Sequence, residues 1–232
     1  MWSDLVGRVR TPAVAGALVL GVVVLVTGWT LAAVPEVGLA ELGVDRFLIA
    51  HVPPTGVAIA TAVGMVLEPA GGFLLLVIVG LVVLLRGDLR RTGQFLVVAA
   101  VSWLSVEPVK LLVHRPRPVL PGIAVVHESW SYPSGHVALA TAIVAGLVAV
   151  TAGRARAQVL AVGAVLVVAV AVSRLVLGVH HPSDVAAAVV WAGAVAVVVS
   201  ALLPRLPAAG TTTARHRTDR QVRGVVLDGE SR

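Results

Sequence analysis

Residues 158–203 read QVLAVGAVLVVAVAVSRLVLGVHHPSDVAAAVVWAGAVAVVVSALL. This stretch contains two apolar runs, 158–178 and 183–203, and each has about the 20 residues that a helix needs to cross the hydrocarbon core of a bilayer. Polar residues gather where the two runs meet, in the segment His180-His-Pro-Ser-Asp184. The stretch therefore predicts two membrane-spanning helices that are joined at one face of the membrane.

The composition of the whole chain also indicates a membrane protein. Of its 232 residues, 58% are hydrophobic and 13% are charged, and the mean hydropathy is +0.97. Soluble domains are usually about 45–50% apolar and about 25% charged, so this composition excludes an ordinary soluble enzyme, a disordered protein and a coiled coil. The chain has no Cys, which excludes disulfides, Cys-zinc sites and thiol nucleophiles.

Six apolar runs are candidates for spanning helices: 13–34, 67–85, 93–113, 136–152, 158–178 and 183–203. We therefore expect an all-α, polytopic membrane protein with a six-transmembrane-helix bundle in residues 1–203. The first run follows Arg8 and Arg10, as in a signal peptide, but it exceeds the about 7–15 residues of a signal core, so we expect it to be retained. Segment 35–66 is mixed, and its apolar part, 57–67, is either an interfacial helix or the start of span two.

The charge distribution predicts the orientation in the membrane. The net charge is +6, but the basic residues are dispersed between the apolar runs, so we expect no nucleic-acid partner. If both termini are cytoplasmic, the outer side holds only five of the 18 basic residues, as the positive-inside rule requires. These five are Arg46, Lys110, Arg115, Arg117 and Arg174. We expect a plasma-membrane protein whose polar tail, 204–232, is cytoplasmic and disordered.

Three cations lie at the outer ends of predicted spans. Lys110 ends the third apolar run. It either binds an anion, extends its ammonium group to the membrane interface, or pairs with Glu107 one turn earlier. Arg117 lies between two prolines in a stiff, extended loop. It either binds an anion or is simply a solvated loop charge. Arg174 lies within an apolar run, and an intramembrane Arg is a functional residue by default. Together the three cations would make an anion site, with phosphate as its natural ligand.

The segment Pro133-Ser134-Gly135-His136 precedes the fourth apolar run. Pro and Ser are typical of the first positions of a helix, and Gly lets a ligand approach the backbone. Because the free N–H groups of a helix N-terminus bind anions, this segment is a second candidate for phosphate binding. Simple capping of the helix is the alternative.

His180 and Asp184 are four residues apart. If the sixth helix begins near Pro182, the carboxylate can accept one imidazole N–H and leave the other nitrogen free as a nucleophile or base. The alternatives are a helix-terminal charge beside a loop histidine, or a metal site that includes His181. Metal sites usually need three or four ligands, and the nearby cations would repel a metal ion, so we expect no metal and no cofactor.

In chain order, the motifs read Lys-x6-Arg-Pro, Pro-Ser-Gly-His and Ser-Arg-x5-His-x3-Asp. This pattern resembles the three-part signature of the type 2 phosphatidic acid phosphatase superfamily of membrane lipid phosphatases. The resemblance implies a set of groups that hold the substrate phosphate: Lys110, Arg117, Ser134, Gly135 and Arg174.

The resemblance also implies the catalytic roles. His180 would attack phosphorus and form a phosphohistidine, and Asp184 would orient His180. His136 would protonate the leaving group and then activate water for the second step. Because side-chain cations replace the usual Mg²⁺, no metal is required.

The predicted activity is metal-independent hydrolysis of a phosphate monoester or diphosphate on a membrane lipid, at the outer membrane face. Polyprenyl diphosphate, phosphatidic acid and phosphatidylglycerophosphate are the candidate substrates, since a site at the bilayer edge admits a headgroup while the lipid tails stay in hydrocarbon. The alternatives are a phosphotransferase or vanadate-using oxidase of the same superfamily, and a transporter or channel. Polar residues are nearly absent from spans one, two and four, which disfavours transport.

Overall fold

The computed structural model describes residues 11–120 and 129–204, and in these ranges every regular element is an α-helix. The fold class is therefore all-α, as predicted. The helices are α1 (Thr11–Ala33), α2 (Pro35–His51), α3 (Pro54–Val66), α4 (Pro69–Arg86), α5 (Leu89–Leu104), α6 (Val106–Val113), α7 (Gly135–Val150), α8 (Gly153–Val176) and α9 (Pro182–Leu202).

Most of the predicted spans correspond to helices that are long and apolar enough to cross a membrane. Five helical segments meet that condition, namely α1, α4, α8, α9 and the continuous pair α5–α6, which covers Leu89–Val113. The predicted span 136–152 corresponds to α7, which has 16 residues. That length is shorter than the about 20 residues of a typical span. The architecture is a multi-pass helical bundle.

Segment 35–66 forms two helices, α2 and α3, bent by 118° at a short break. Prolines explain where the helices start, since Pro35, Pro54 and Pro69 each stand at the first position of a helix, where the missing N–H is not needed. The apolar part 57–67 lies mostly in α3, and α4 begins separately at Pro69. It is thus not the start of span two but most of a separate short helix.

The centre of the bundle is formed by α5, α7 and α9, which pack against one another. Their contact surfaces are lined by small side chains such as Ala138, Ala142 and Ala188, which are fully buried. Small residues let helices approach closely in a membrane, where close packing rather than the hydrophobic effect drives association. Around this centre, α1 packs on α9, α4 on α5, α8 on α7, and α3 on α8. Many outward-facing Val and Leu side chains are exposed, as a lipid-facing surface requires.

Some predictions fall outside the described residues. From residue 205 onward the predicted tail 204–232 belongs to this part of the chain, and so do Arg8 and Arg10. The cytoplasmic location of both termini therefore stays a prediction from the charge distribution.

Candidate active site

The three sequence motifs meet at one end of the bundle, where α6 and α8 end and α7 and α9 begin. Direct contacts join them in pairs. Arg117 donates to the carbonyl of Val179 at 2.8 Å, and the backbone N–H of Ser134 donates to the carbonyl of Asp184 at 3.1 Å. The structure thus brings the predicted residues together in one cluster: Lys110, Arg117, Ser134, Gly135, His136, Arg174, His180 and Asp184.

His180 lies buried at the centre of this cluster, and its contacts define its tautomer. Its Nε2 is 3.3 Å from Nη1 of Arg117. Because a guanidinium only donates hydrogen bonds, Nε2 must be the acceptor, and the ring proton is then on Nδ1. Nδ1 lies 3.6 Å from Oδ2 of Asp184 and 3.4 Å from Oγ of Ser131. The imidazole therefore directs a lone pair toward Arg117 and an N–H toward a carboxylate.

Burial also keeps this imidazole neutral. Burial lowers the pKa of His180 to about 4, and the nearby Asp184 opposes that change only in part. An imidazole with this pKa is unprotonated near pH 7, which is the form that a nucleophile or base requires.

Arg117 is held rigidly by four contacts. Besides His180 and the carbonyl of Val179, its Nε donates to the Ser129 carbonyl at 2.8 Å and its Nη2 to the Ser129 hydroxyl at 2.9 Å. Burial lowers the pKa of Arg117, but a guanidinium stays charged at physiological pH. A fixed cation therefore stands directly beside Nε2 of His180.

The segment that precedes α7 is anchored to two other parts of the fold. The N–H of Ser131 donates to the carbonyl of Arg115 at 2.9 Å, and the buried hydroxyl of Tyr132 donates to the carbonyl of Val24 in α1 at 2.7 Å. Burial raises the pKa of Tyr132, so the hydroxyl keeps its proton and remains a donor. These anchors hold the start of α7 in place beside His180.

Arg174 and His136 both contact α3, which sequence reasoning did not connect with the site. Nη2 of Arg174 donates to the carbonyl of Ala60 at 2.8 Å, and Nε2 of His136 is 3.2 Å from the carbonyl of Gly64. A carbonyl only accepts, so His136 donates through Nε2. Since α3 contributes carbonyl groups rather than reactive side chains, its sequence gave no signal of this role.

Lys110 makes the local ion pair that sequence reasoning gave as an alternative. Its Nζ donates to Oε1 of Glu107 at 2.9 Å. The same Nζ also faces the start of α7, where a Cβ atom added to Gly135 would lie only 3.3 Å away. The ion pair and a position beside the second motif are therefore compatible.

Ser134 occupies the N-cap position of α7, but its side chain makes no capping hydrogen bond. Its Oγ is buried without a hydrogen-bond partner among the described residues. The simple capping interpretation is therefore wrong for this side chain. A buried hydroxyl without a partner costs free energy, and a ligand oxygen at this position would remove that cost.

Asp184 is fully buried, and several groups other than His180 donate hydrogen bonds to it. Its Oδ1 is 2.5 Å from Nη1 of Arg115, while Oδ2 accepts from the backbone N–H of His181 at 2.8 Å and from the hydroxyl of Ser131. Sequence reasoning missed Arg115 and Ser131. Arg115 stands two residues before Arg117 in the repeat Arg-Pro-Arg-Pro, so its local sequence did not distinguish it from its neighbour.

The acids and histidines of the site do not form a metal centre. Across residues 11–120 and 129–204, no group of three or more His, Asp or Glu side chains is arranged to hold a metal ion. The charged side chains of the cluster are instead cations and carboxylates in contact with each other.

Comparison with known proteins then establishes the family. A family model described as the PAP2 superfamily matches residues 91–207, a range that contains all three motifs. This chain belongs to the PAP2 superfamily. The resemblance stated from the motifs is thereby confirmed, and so is the predicted enzyme class, a phosphatase of this lipid phosphatase superfamily.

Two relatives and one solved structure are similar to this PAP2 protein. The chain is 36% identical over 137 residues to a decaprenylphosphoryl-5-phosphoribose phosphatase of Mycobacterium tuberculosis, covering 56% of this chain and 71% of the relative. It is 40% identical over 98 residues to the protein of that name from Mycolicibacterium smegmatis, covering 36% and 51%. A transmembrane PAP2 type phosphatidylglycerolphosphate phosphatase from Bacillus subtilis matches with a TM-score of 0.68 at 20% identity, covering 79% of this chain and 93% of that one. The structural match shows a shared fold.

Proposed function

We propose that this phosphatase hydrolyses a phosphate monoester or diphosphate on a membrane lipid through a phosphohistidine on His180. The observation that carries the proposal is the geometry of this imidazole. Its Nε2 accepts from Arg117 at 3.3 Å, and its Nδ1 faces Asp184. A neutral nucleophile is thus paired with a cation in front of it and a carboxylate behind it.

In the first step, Nε2 of His180 attacks phosphorus, and the bond from phosphorus to the leaving oxygen breaks. Lys110, Arg117 and Arg174 stabilise the charge that spreads over the phosphoryl oxygens, since preplaced cations act most strongly on charge that develops in the transition state. The imidazole gains positive charge when the P–N bond forms, and Asp184 stabilises that charge through Nδ1–H. The Ser134 hydroxyl and the Gly135 N–H add hydrogen bonds to the phosphoryl group.

His136 handles the protons of both steps. It gives a proton to the leaving oxygen in the first step, and it takes one from the attacking water in the second, in which the P–N bond breaks and phosphate is released. Its Nε2 donates to the Gly64 carbonyl, so His136 exchanges this partner for the leaving oxygen when substrate binds. The same group then acts as acid and as base at one position.

The proposed substrate is a polyprenyl-linked phosphate. The two relatives are named for the phosphatase reaction on decaprenylphosphoryl-5-phosphoribose, and the match to the first covers 71% of that relative. We therefore place a phosphate monoester on a polyprenylphosphoryl sugar first among the substrates. Polyprenyl diphosphate, phosphatidic acid and phosphatidylglycerophosphate are the other candidates for direct comparison.

We further propose that the site faces the outer side of the plasma membrane and that both termini are cytoplasmic. The distribution of basic residues supports this orientation, because few of them lie at the end of the bundle where the motifs meet. Labelling of single cysteines introduced at position 46 or 86 with a membrane-impermeant reagent tests it. Labelling at position 86 but not at position 46 in intact cells would reverse the orientation.

The test of the function is phosphate release by purified protein in micelles, with each of the four lipid phosphates and without added alcohol. We expect release from at least one polyprenyl substrate, and none from the His180→Gln variant. His51→Gln is the matched control, because His51 is an exposed histidine of α2. Quenching in alkaline denaturant should trap a labelled phosphoenzyme in the control only, because the P–N bond of a phosphohistidine is stable in alkali and is lost in acid. A phosphoenzyme that survives in His180→Gln would refute the nucleophile, and turnover that requires an alcohol would indicate a phosphotransferase.

A further inference from the structure

A second buried ion network lies behind Asp184, on the side away from His180. Arg115, which is 1% exposed, donates from Nη1 to Oδ1 of Asp184 at 2.5 Å and to Oγ of Ser183 at 2.6 Å. Its Nη2 donates to Oε2 of Glu41 at 2.6 Å. Both terminal nitrogens of this guanidinium therefore donate to protein groups.

Glu41 connects α2 to the first turn of α9. Its Oε1 accepts the backbone N–H of Ser183 at 2.9 Å, and its Oε2 accepts the hydroxyl of Ser183 at 3.0 Å as well as Nη2 of Arg115. The side chain of Glu41 is 17% exposed. Glu41 lies outside residues 91–207, the range that matches the family model.

The network contains two carboxylates and one guanidinium, so its formal charge is −1. Asp184 therefore shares the positive charge of Arg115 with Glu41. Removing one member of a buried ion pair leaves the other uncompensated, so each of the three groups affects how much negative charge Asp184 presents to His180.

We propose that Glu41 and Arg115 are positioning residues, which fix the orientation of Asp184 and set the charge that it presents to His180. The proposal rests on the function proposed above, because it assigns the control of the nucleophile to Glu41, which lies outside the three motifs, and to Arg115, which occupies a variable position of the first motif. Neither residue contacts the reacting atoms, and both act through Asp184.

The other ionisable groups around His180 and Asp184 are the same in the wild type and in the variants compared below. The ionisable groups that act on His180 are Asp184, Arg117, Lys110 and His136. Those near Asp184, besides His180 and Arg115, are Tyr132, His181 and Asp45.

The two substitutions should change the titration of His180 in opposite directions. Glu41→Gln removes a negative charge and leaves Arg115 entirely to Asp184, which lowers the pKa of His180. Arg115→Gln removes a positive charge and leaves two carboxylates, which raises the pKa of His180 by at least about half a unit, since an opposite charge nearby favours the protonated imidazole. In the double variant the net charge is again −1, so the titration should return toward that of the wild type.

The experiment is an NMR titration of nitrogen-labelled histidines in the full-length protein in detergent micelles, with His180→Gln to assign the signal. Glu36→Gln and Arg46→Gln are matched controls, because both residues are exposed on α2, and they should leave the titration unchanged. Arg115→Lys keeps the charge and should restore most of the wild-type titration. Size-exclusion chromatography and thermal midpoints identify any single variant that fails to fold. In that case the pKa of His180 in the other single variant is compared with its value in the double variant, and this comparison still gives the sign of the change.

The proposal is supported if the pKa of His180 changes in opposite directions in the two single variants and returns toward the wild-type value in the double variant. Equal changes in both, or changes no larger than in the controls, overturn it, because a purely structural contact would lower stability without a charge-dependent sign. Phosphate release measured in parallel separates the two proposals. A wild-type protein that titrates as expected but releases no phosphate from any lipid leaves the positioning role intact and refutes the proposed function.

Discussion

Gly64 of α3 lies directly against Arg174 of α8. A Cβ atom added to Gly64 would come within 2.8 Å of both terminal nitrogens of the guanidinium, a distance at which the guanidinium must move. The absence of a side chain at this position therefore allows α3 to accept hydrogen bonds while the cation stays at the site. This relationship connects a helix outside the three motifs to the phosphate-binding groups.

We expect Gly64→Ala to lower kcat/KM on lipid phosphates by up to about 100-fold, because a displacement of about 1 Å in a positioning group can have that effect. The variant should still fold, since Ala favours a helix over Gly. Gly43→Ala in α2 is the control, because a Cβ atom there would meet nothing within 4 Å. Equal activities of the two variants would contradict the proposed placement of Arg174.

Removal of the Arg174 side chain tests the cation itself. We expect Arg174→Ala to reduce kcat by roughly 100- to 1,000-fold, as the loss of one donor to a developing oxyanion does. Arg154→Ala, an exposed arginine on the same helix, should retain activity. If Arg174→Ala lowers only the yield of folded protein and the purified variant keeps its kcat, the residue is structural.

The pH dependence of stability should show the burial of His180. Its pKa is lowered from 6.5 to about 4 in the folded protein, so the unfolded chain binds a proton first as the pH falls. The contribution of this residue to stability is therefore complete above pH 6.5 and is lost between pH 6.5 and about 4. Thermal midpoints measured across this window should fall less steeply in His180→Gln than in the wild type. The His51→Gln control should keep the wild-type slope. An identical slope in His180→Gln would contradict the lowered pKa of His180.

Ser134 should show opposite effects on stability and on activity. Ser134→Ala removes a buried hydroxyl that has no partner among the described residues, so the thermal midpoint should rise. The same change should lower kcat about tenfold, since one neutral hydrogen bond to the phosphoryl group is worth about 1 kcal/mol or slightly more. Ser102 is the control, because its Oγ in α5 is likewise buried without a partner in the described part of the chain. Ser102→Ala should raise the midpoint and leave kcat unchanged.

Activity should persist in the presence of EDTA, because the proposed phosphate-binding charges are side chains. The measurement is phosphate release before and after dialysis against the chelator. Loss of activity that is restored by Mg²⁺ would show that the side-chain cations are insufficient.

The main parts of the site could be predicted from sequence because their chemistry is costly inside a bilayer. A cation such as Arg174 within an apolar run requires a specific reason, and Asp184 in the first turn of α9 is close enough in the chain to reach back to His180, which precedes the helix. The network of Glu41 and Arg115 could not be predicted in this way. These two residues are 74 positions apart in the chain, and no local periodicity relates them.

The fold likewise has features that local sequence predicts and features that depend on contacts between distant segments. The prolines at positions 35, 54 and 69 predict helix starts, and the apolar runs predict most of the spans. The bend of 118° between α2 and α3 falls at Pro54, but the packing of α3 against α8 joins segments that are far apart in the chain, and no local pattern encodes it. For this reason the contacts of α3 with Arg174 and His136 were found only in the structure.

The carbonyl groups of Ala60 and Gly64 have a consequence for turnover. They accept one hydrogen bond each from Arg174 and His136, so a phosphate that displaces either carbonyl gains only the difference between the new hydrogen bond and the one that it replaces. Free inorganic phosphate, which has no lipid tail to add affinity, should therefore dissociate readily. The backbone of α3 would thus protect the enzyme from inhibition by its own product.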